Sequence, residues 1–371
     1  MSRKRVTYIL SNINKALAFE WIAESIDHSR FELEFILLNP GPSELGEFLK
    51  QRGSSVKEIQ LRGKKDLPLA FLKVFWQFLV RRPVAVHCHL FEANLCGLTA
   101  AWLLRIPHRI YTRHHSTYHH QYFPSAIKYD KYCNALATTI VAITATVKKV
   151  LVEMEHVSEN KVAIVHHGFR LSEFQNVPES EVRQLQQLYN PANKRPVIGC
   201  ISRFTYWKGV QYIIEAFRDL LPSHPNALLL LANARGNYKA EIQELLNTLP
   251  KDSYKEIDFE NRLFALYQLF DVFVHVPVDS HSEAFGQTYV EALAAEIPSV
   301  FTLSGIANDF IKNEENALVV PYKSSPEIKD AVVRLLNDSG LREQLKENGK
   351  KSVFAGFDLP VMINALENLY S

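Results

Sequence analysis

Two glutamates bracket a glycine turn in residues 281–300, HSEAFGQTYVEALAAEIPSV. Glu283 stands just before Phe285-Gly286, and Glu291 follows eight residues later in an apolar stretch. The preceding run DVFVHVPV reads as a buried strand, DSHS as a loop and GQTYVEALAAE as a helix. Glu283 then falls in the loop and Glu291 in the second turn of the helix. Eight residues at about 100° each would return Glu291 to within roughly 80° of the direction of Glu283. Phe285, Gly286 and Gln287 sit where a helix leaves amide N–H groups without intrahelical partners, and glycine permits close approach to the backbone. Such amides and the helix dipole together form an anion site. Carboxylates repel phosphate, so these two are expected to touch neutral hydroxyl groups on either side of it. A ligand with a charged centre and hydroxyl-rich ends is a sugar–diphosphate–nucleoside. A capping glutamate plus a surface glutamate on an amphipathic helix would give the same pattern.

A second set of charges lies upstream. PVIGCI reads as a strand and is followed by SRFTYWKGVQYIIEAF, whose helix begins near Gly209. Arg203 and Lys208 therefore occupy a strand-to-helix loop. Arg offers a forked donor and Lys a compact charge, which suits a diphosphate at a helix N-terminus. Two solvated loop cations are the plain alternative.

Histidines concentrate in IYTRHHSTYHH, which holds His114, His115, His119 and His120. His115 and His119 have the i,i+4 spacing of a metal pair on a helix. No acidic or cysteine ligand is near in sequence, and the stretch reads as a strand leading into a loop, so no metal is expected. His87 and His89, in AVHCHLFEAN, read as structural or cleft-lining. No D-x-D pair ends a strand, so no metal or other cofactor is called for.

These residues need a scaffold. The chain has 371 residues, 47% hydrophobic and 22% charged, with 42 Lys plus Arg against 40 Asp plus Glu. That is the composition of ordinary globular domains, about two of them, and no global field marks a nucleic-acid binder. Four cysteines without a CxxC spacing suit a reducing compartment. The apolar run Val6 to Leu10 is too short for a signal-peptide core, and no run reaches the ~18 residues of a membrane span, so a cytoplasmic protein is expected. Strand-like runs (RVTYIL, FELEFILL, AVHCHL, RIYT, TIVAI, VAIVHH, then PVIGCI, ALLLLA, DVFVHV, PSVFTL) alternate with helix-like segments at 67–81, 93–105, 209–221, 239–248, 286–295 and 326–337. Alternation of this kind predicts α/β domains with parallel sheets buried on both faces. The polar, proline-containing segment Gln175–Arg195 reads as the boundary. Two doubly wound, Rossmann-like domains are expected, 1–180 and 190–355, facing across a cleft, with 356–371 as a short helix that packs back on the first. Residues 62–82 are basic at both ends and aromatic in the middle. They fit either a core helix with solvated ends or peripheral contact with the inner face of a membrane.

SRFTYWKG, followed about 75 residues later by EAFGQTYVE, resembles the retaining GT-B-fold glycosyltransferases of family four. LFDVFVHVP, SGIANDFI and HHGFRLSEF agree with it, and the likeness covers most of residues 80–340. The resemblance implies transfer of a sugar from a nucleotide-diphosphate sugar to an acceptor hydroxyl, in polysaccharide or glycolipid synthesis and without a metal. It implies that Arg203 and Lys208 hold the diphosphate, Glu283 the transferred sugar and Glu291 the ribose, with backbone amides from Phe285, Gly286 and Gln287. His114, in a T-x-H context, would face the donor sugar, with His115 close behind. Asn12 and Asn14 replace a glycine-rich loop on the acceptor side, and His89 would line the same region. Ala284 stands where many relatives have glycine. A nucleotide-sugar 2-epimerase or a non-catalytic nucleotide-sugar binding protein on the same scaffold are the alternatives.

Overall fold

The computed structural model describes residues 3–371. Its first sheet contains β1 (Lys4–Ser11), β2 (Phe31–Asn39), β3 (Ser55–Gln60), β4 (Ala85–His89), β5 (His108–Arg113), β6 (Thr139–Ala142) and β7 (Val162–Ile164). They run in the order β3-β2-β1-β4-β5-β6-β7, and every pairing is parallel. The second sheet contains β8 (Val197–Ile201), β9 (Leu228–Ala232), β10 (Tyr254–Ile257), β11 (Val272–His275), β12 (Ser299–Phe301) and β13 (Leu318–Val319). Its order is β10-β9-β8-β11-β12-β13, again all parallel. Both sheets are α/β and doubly wound, as expected. In each, strand order reverses beside the first strand, at β1/β4 and at β8/β11. The loops that leave these neighbours part to opposite faces and open a crevice at their carboxyl ends.

The central strands are apolar on both faces because helices cover both. All five residues of β4 and of β9 are buried. The helix Val210–Leu220 buries Val210, Ile213, Ile214, Phe217 and Leu220, the i, i+3, i+4 spacing of one helical face, in a core with Ile198, Leu229 and Val274. All four cysteines are free and buried.

The chain forms two compact units, one through Phe169 together with Leu359–Ser371, the other Arg170–Asp358. The division falls earlier than the polar segment suggested. Glu179–Tyr189 is not a linker but a helix of the second unit; it buries only Leu185, which explains its polar sequence. The last helix, Leu359–Tyr370, belongs to the first unit and takes Pro360 into its own first turn, where a missing N–H costs nothing. The helix Leu67–Arg81 buries Ala70, Val74 and Phe78, while Leu69, Leu72, Trp76 and Val80 face outward. No helix among the described residues is long and apolar enough to cross a membrane.

Candidate functional site

In the second unit the loops after β8 and β11 lie side by side, because those strands are neighbours in the sheet. Trp207 O accepts from the Val278 amide at 3.0 Å. Gly209, at φ 74°, sits so close to Val276 that a Cβ there would lie 1.9 Å from the Val276 carbonyl oxygen. This contact brings the Lys208 ammonium onto Glu283, where it donates to Oε1. His275, the last residue of β11, places Nε2 3.1 Å from the same oxygen. The Glu283 amide donates to Ser304 Oγ at 2.9 Å. Burial pushes the Glu283 carboxyl up, but the Lys208 charge and the His275 hydrogen bond outweigh it and hold the group at about 2. Burial holds His275 below its ordinary value despite the carboxylate beside it. Glu283 is therefore a fixed anion and His275 a neutral donor. Arg203 is exposed on the same loop, and its guanidinium makes no ion pair among the described residues.

The helix after this loop is Gln287–Ala294. Gly286 caps it at φ 87°, where an added Cβ would meet the Tyr289 ring at 2.7 Å. The Phe285 side chain packs inward against Phe357, and its carbonyl accepts from the Ile306 amide at 2.8 Å, so Phe285 offers backbone rather than side chain. Gln287 is exposed at the first turn. The rotation that would align the glutamates does not apply, because residues 283–286 are not helical. Glu283 and Glu291 have separate surroundings. Glu291 is buried and accepts from the Tyr267 hydroxyl at 2.8 Å. Burial raises its carboxyl to about 7, against the pull of that hydrogen bond.

In the first unit β4 and β5 end next to each other and bring their histidines together. His89 Nδ1 lies 3.0 Å from His114 Nε2, and the His114 ring stacks on His167. His87 is wholly internal, with Nδ1 2.7 Å from Tyr370 Oη and Nε2 2.8 Å from Thr112 Oγ1. Asn12, at φ 55°, donates to Glu92 at 3.1 Å. Asn14 donates to Glu44 at 3.0 Å and accepts from its amide, so it anchors the start of the helix Glu44–Gln51.

His115 does not join His114. Its Nε2 lies 3.6 Å from Asp130 Oδ1, and His119 Nδ1 lies 2.6 Å from Oδ2. The expectation of no acidic partner for these histidines is thus corrected: Asp130, remote in sequence, comes from the helix Ile127–Leu136. The three groups lie within 4.8 Å of one another, the spread of a metal cage. Both Asp130 oxygens, however, are held by Arg113, at 3.1 and 3.2 Å. Arg113 also pairs with the buried Glu155, which accepts from Asn134 at 2.7 Å. A guanidinium beside the carboxylate disfavours a cation, and the cluster reads as an internal ion network.

Sequence reasoning missed His275, Tyr267 and Ser304. Only His275 carried a signal, a polar residue closing an otherwise apolar strand that leads to the glutamates.

The family described as Glycosyl transferases group 1 matches residues 182–352, and Glycosyltransferase Family 4 matches residues 22–173. The capsular polysaccharide biosynthesis glycosyltransferase CapM of Staphylococcus aureus is 25% identical over 369 residues, 94% of this chain and 95% of its own. The alpha-monoglucosyldiacylglycerol synthase of Acholeplasma laidlawii is 25% identical over 309 residues, 77% of this chain and 74% of its own. Among solved structures, Anabaena HepE in complex with UDP and glucose superposes with a TM-score of 0.84 at 17% identity, over 99% of both chains.

Proposed function

We propose, for a chain that belongs to the GT-B-fold glycosyltransferases of group 1, that it transfers a sugar from a nucleoside diphosphate sugar to an acceptor hydroxyl with retention of configuration. The observation that carries this reading is the Lys208–Glu283–His275 cluster, with the exposed Arg203 on the same loop as Lys208, at the switch point of the second sheet. Crystals of HepE with UDP and with UDP-glucose support a nucleotide-sugar donor. Glu283, kept ionised, accepts hydrogen bonds from the hydroxyls of the transferred sugar. Glu291 accepts from the ribose. Arg203 and Lys208, with the amides of residues 285–287, stabilise charge on the departing diphosphate, an effect worth roughly 3–4 kcal/mol per well-placed donor. The anomeric carbon's bond to phosphate breaks as its bond to the acceptor oxygen forms on the same face. The acceptor's proton passes to the departing phosphate oxygen, so no metal is required in this scheme.

The names of the relatives support a polysaccharide or lipid-linked acceptor. A cavity of about 320 Å³ in the first unit, lined by Asn12, Arg62, Lys64, Phe91, Glu92 and Tyr129 among others, suits an acceptor with an anionic group and an apolar part. The outward Leu69, Leu72, Trp76 and Val80 would rest on the inner face of a membrane, beside that cavity's basic residues.

The test is a panel of sugar nucleotides scored by thermal shift, followed by turnover with EDTA present and NMR of the product's anomeric centre. Lys208→Ala should lower kcat at least ~100-fold, since it removes an oxyanion-type donor. Inversion of configuration, loss of activity with EDTA, or unchanged turnover in that variant would each break the scheme. An epimerase would instead yield a new sugar nucleotide with no acceptor present. Co-sedimentation with anionic vesicles should fall on Trp76→Ser; no change in sedimentation removes the membrane contact.

A further inference from the structure

The shared hydrogen bond between His89 and His114 has two possible directions, and the surroundings choose between them. Each neutral imidazole carries one proton, on one of its two nitrogens. His89 is 5% exposed, and its Nε2 is buried with no partner among the described residues. Tyr8 stacks flat on this ring and Phe19 meets it edge-on, so its walls are aromatic. His87 offers nothing to Nε2, since Tyr370 and Thr112 occupy both of its own nitrogens. If His114 donated from Nε2, the proton of His89 would have to sit on that isolated Nε2. A buried N–H would then have no acceptor. If His89 donates from Nδ1, the isolated atom is only a lone pair. Orphaned buried N–H groups are rarer than under-satisfied acceptors. The second unit shows the same choice: His275 must direct an Nε2 proton at the Glu283 carboxylate, and its Nδ1 is left as a buried lone pair without a partner. Burial and the neighbouring rings depress His89 and His114 well below the ordinary imidazole value, so both are neutral.

We infer that His89 is a positioning residue: it keeps its proton on Nδ1, donates it to His114 Nε2, and so fixes the proton of His114 on Nδ1. His114 Nδ1 makes no hydrogen bond among the described residues, and the ring is part-exposed. What His114 presents is thus an N–H. On the transfer reading above, that group donates to an oxygen of the donor sugar or its phosphate. A neutral ring with this tautomer has no free lone pair for the acceptor's proton, so His114 is not a general base.

The tautomer is tested without any ligand. Long-range proton–nitrogen NMR of protein labelled with ¹⁵N-histidine, assigned through His89→Asn and His114→Asn, should show His114 protonated at Nδ1 with a bare Nε2, and His89 the same. His114 protonated at Nε2 would overturn the inference. For the positioning role, His89→Asn puts an amide N–H where Nδ1 was, whereas His89→Phe has no donor. The Asn variant should keep the His114 tautomer and lose less turnover than Phe. The Phe variant should release the tautomer and lose about tenfold or more in kcat with little change in KM, the equivalent of one ~1.4 kcal/mol interaction in the transition state. Melting temperatures of the two variants separate misfolding from mispositioning. Equal losses of kcat in Asn and Phe at equal stability, or none in Phe, would refute the role. If the tautomers are as stated but no sugar nucleotide is turned over, the transfer reading fails and the proton assignment stands.

Discussion

Glu291 carries a cost that depends on pH. Its carboxyl is raised to about 7 in the folded chain, against an ordinary value of 4.5. Between those values the folded chain holds a proton that the unfolded chain has lost, so stability falls as pH rises through this window. Below about pH 4.5 the group costs nothing; above about pH 7 the full penalty applies, on the order of 3 kcal/mol. Glu291→Gln should therefore melt higher than the parent at pH 8 and equal to it at pH 4.5, and calorimetry at the two pH values checks this. Glu283 has the opposite sign: held at about 2, it contributes stability above pH 4.5 that is lost as pH falls toward 2. Two glutamates in one motif thus oppose each other across the pH scale. The motif was legible in the sequence because both residues sit a fixed distance from a glycine turn. Their surroundings were not: Tyr267 comes from the helix before β11, Ser304 from beyond β12, and only the fold brings them in. Asp130 beside His115 and His119 was invisible for the same reason.

The loops after β8 and β11 make a single unit that depends on two glycines. Gly286→Ala would place a Cβ against the Tyr289 ring in a left-handed conformation, and Gly209→Ala would drive one into a carbonyl. Each should destabilise by ~1–3 kcal/mol or more and separate Lys208 from Glu283, raising, on the proposed transfer, the KM for its sugar nucleotide. A variant with parent-like melting and KM would show that this backbone contact does not hold the site. The sequence revealed elements where both faces are buried. Ten strands were foreseen; β3, β10 and β13 were missed. All three lie at sheet edges. β3 reads SVKEIQ and buries only Ile59, so its pattern is that of a surface segment. β10, YKEI, is polar in the same way, as edge strands are to avoid pairing with other chains, whereas β13 is apolar but only two residues long. The helix Leu67–Arg81 was foreseen residue for residue because its apolar period is unbroken, and Glu179–Tyr189 was lost because it buries one leucine.

At the scale of the molecule, the chain passes between its two units twice, after Phe169 and after Asp358. The final helix buries Leu359, Met362, Ile363, Leu366 and Tyr370 in the first unit. Its Glu367 pairs with Arg30 at 2.9 Å, and Tyr370 Oη meets both Tyr8 Oη, at 2.5 Å, and His87. A chain stopped at Asp358 would uncover this apolar patch and strand the polar atoms of Tyr8 and His87, each at a cost of ~1–3 kcal/mol. The first unit should then melt far below the second, giving two calorimetric transitions; one unshifted transition would refute the dependence.

Ribosomes deliver this polypeptide from the amino terminus, and the keystone of its leading half is encoded after the whole of the second unit. The trailing half is continuous and can close as it emerges. The leading half waits, one side unsealed, until residues 359–371 emerge, so a premature stop just past the second unit injures the part of the protein that was made first.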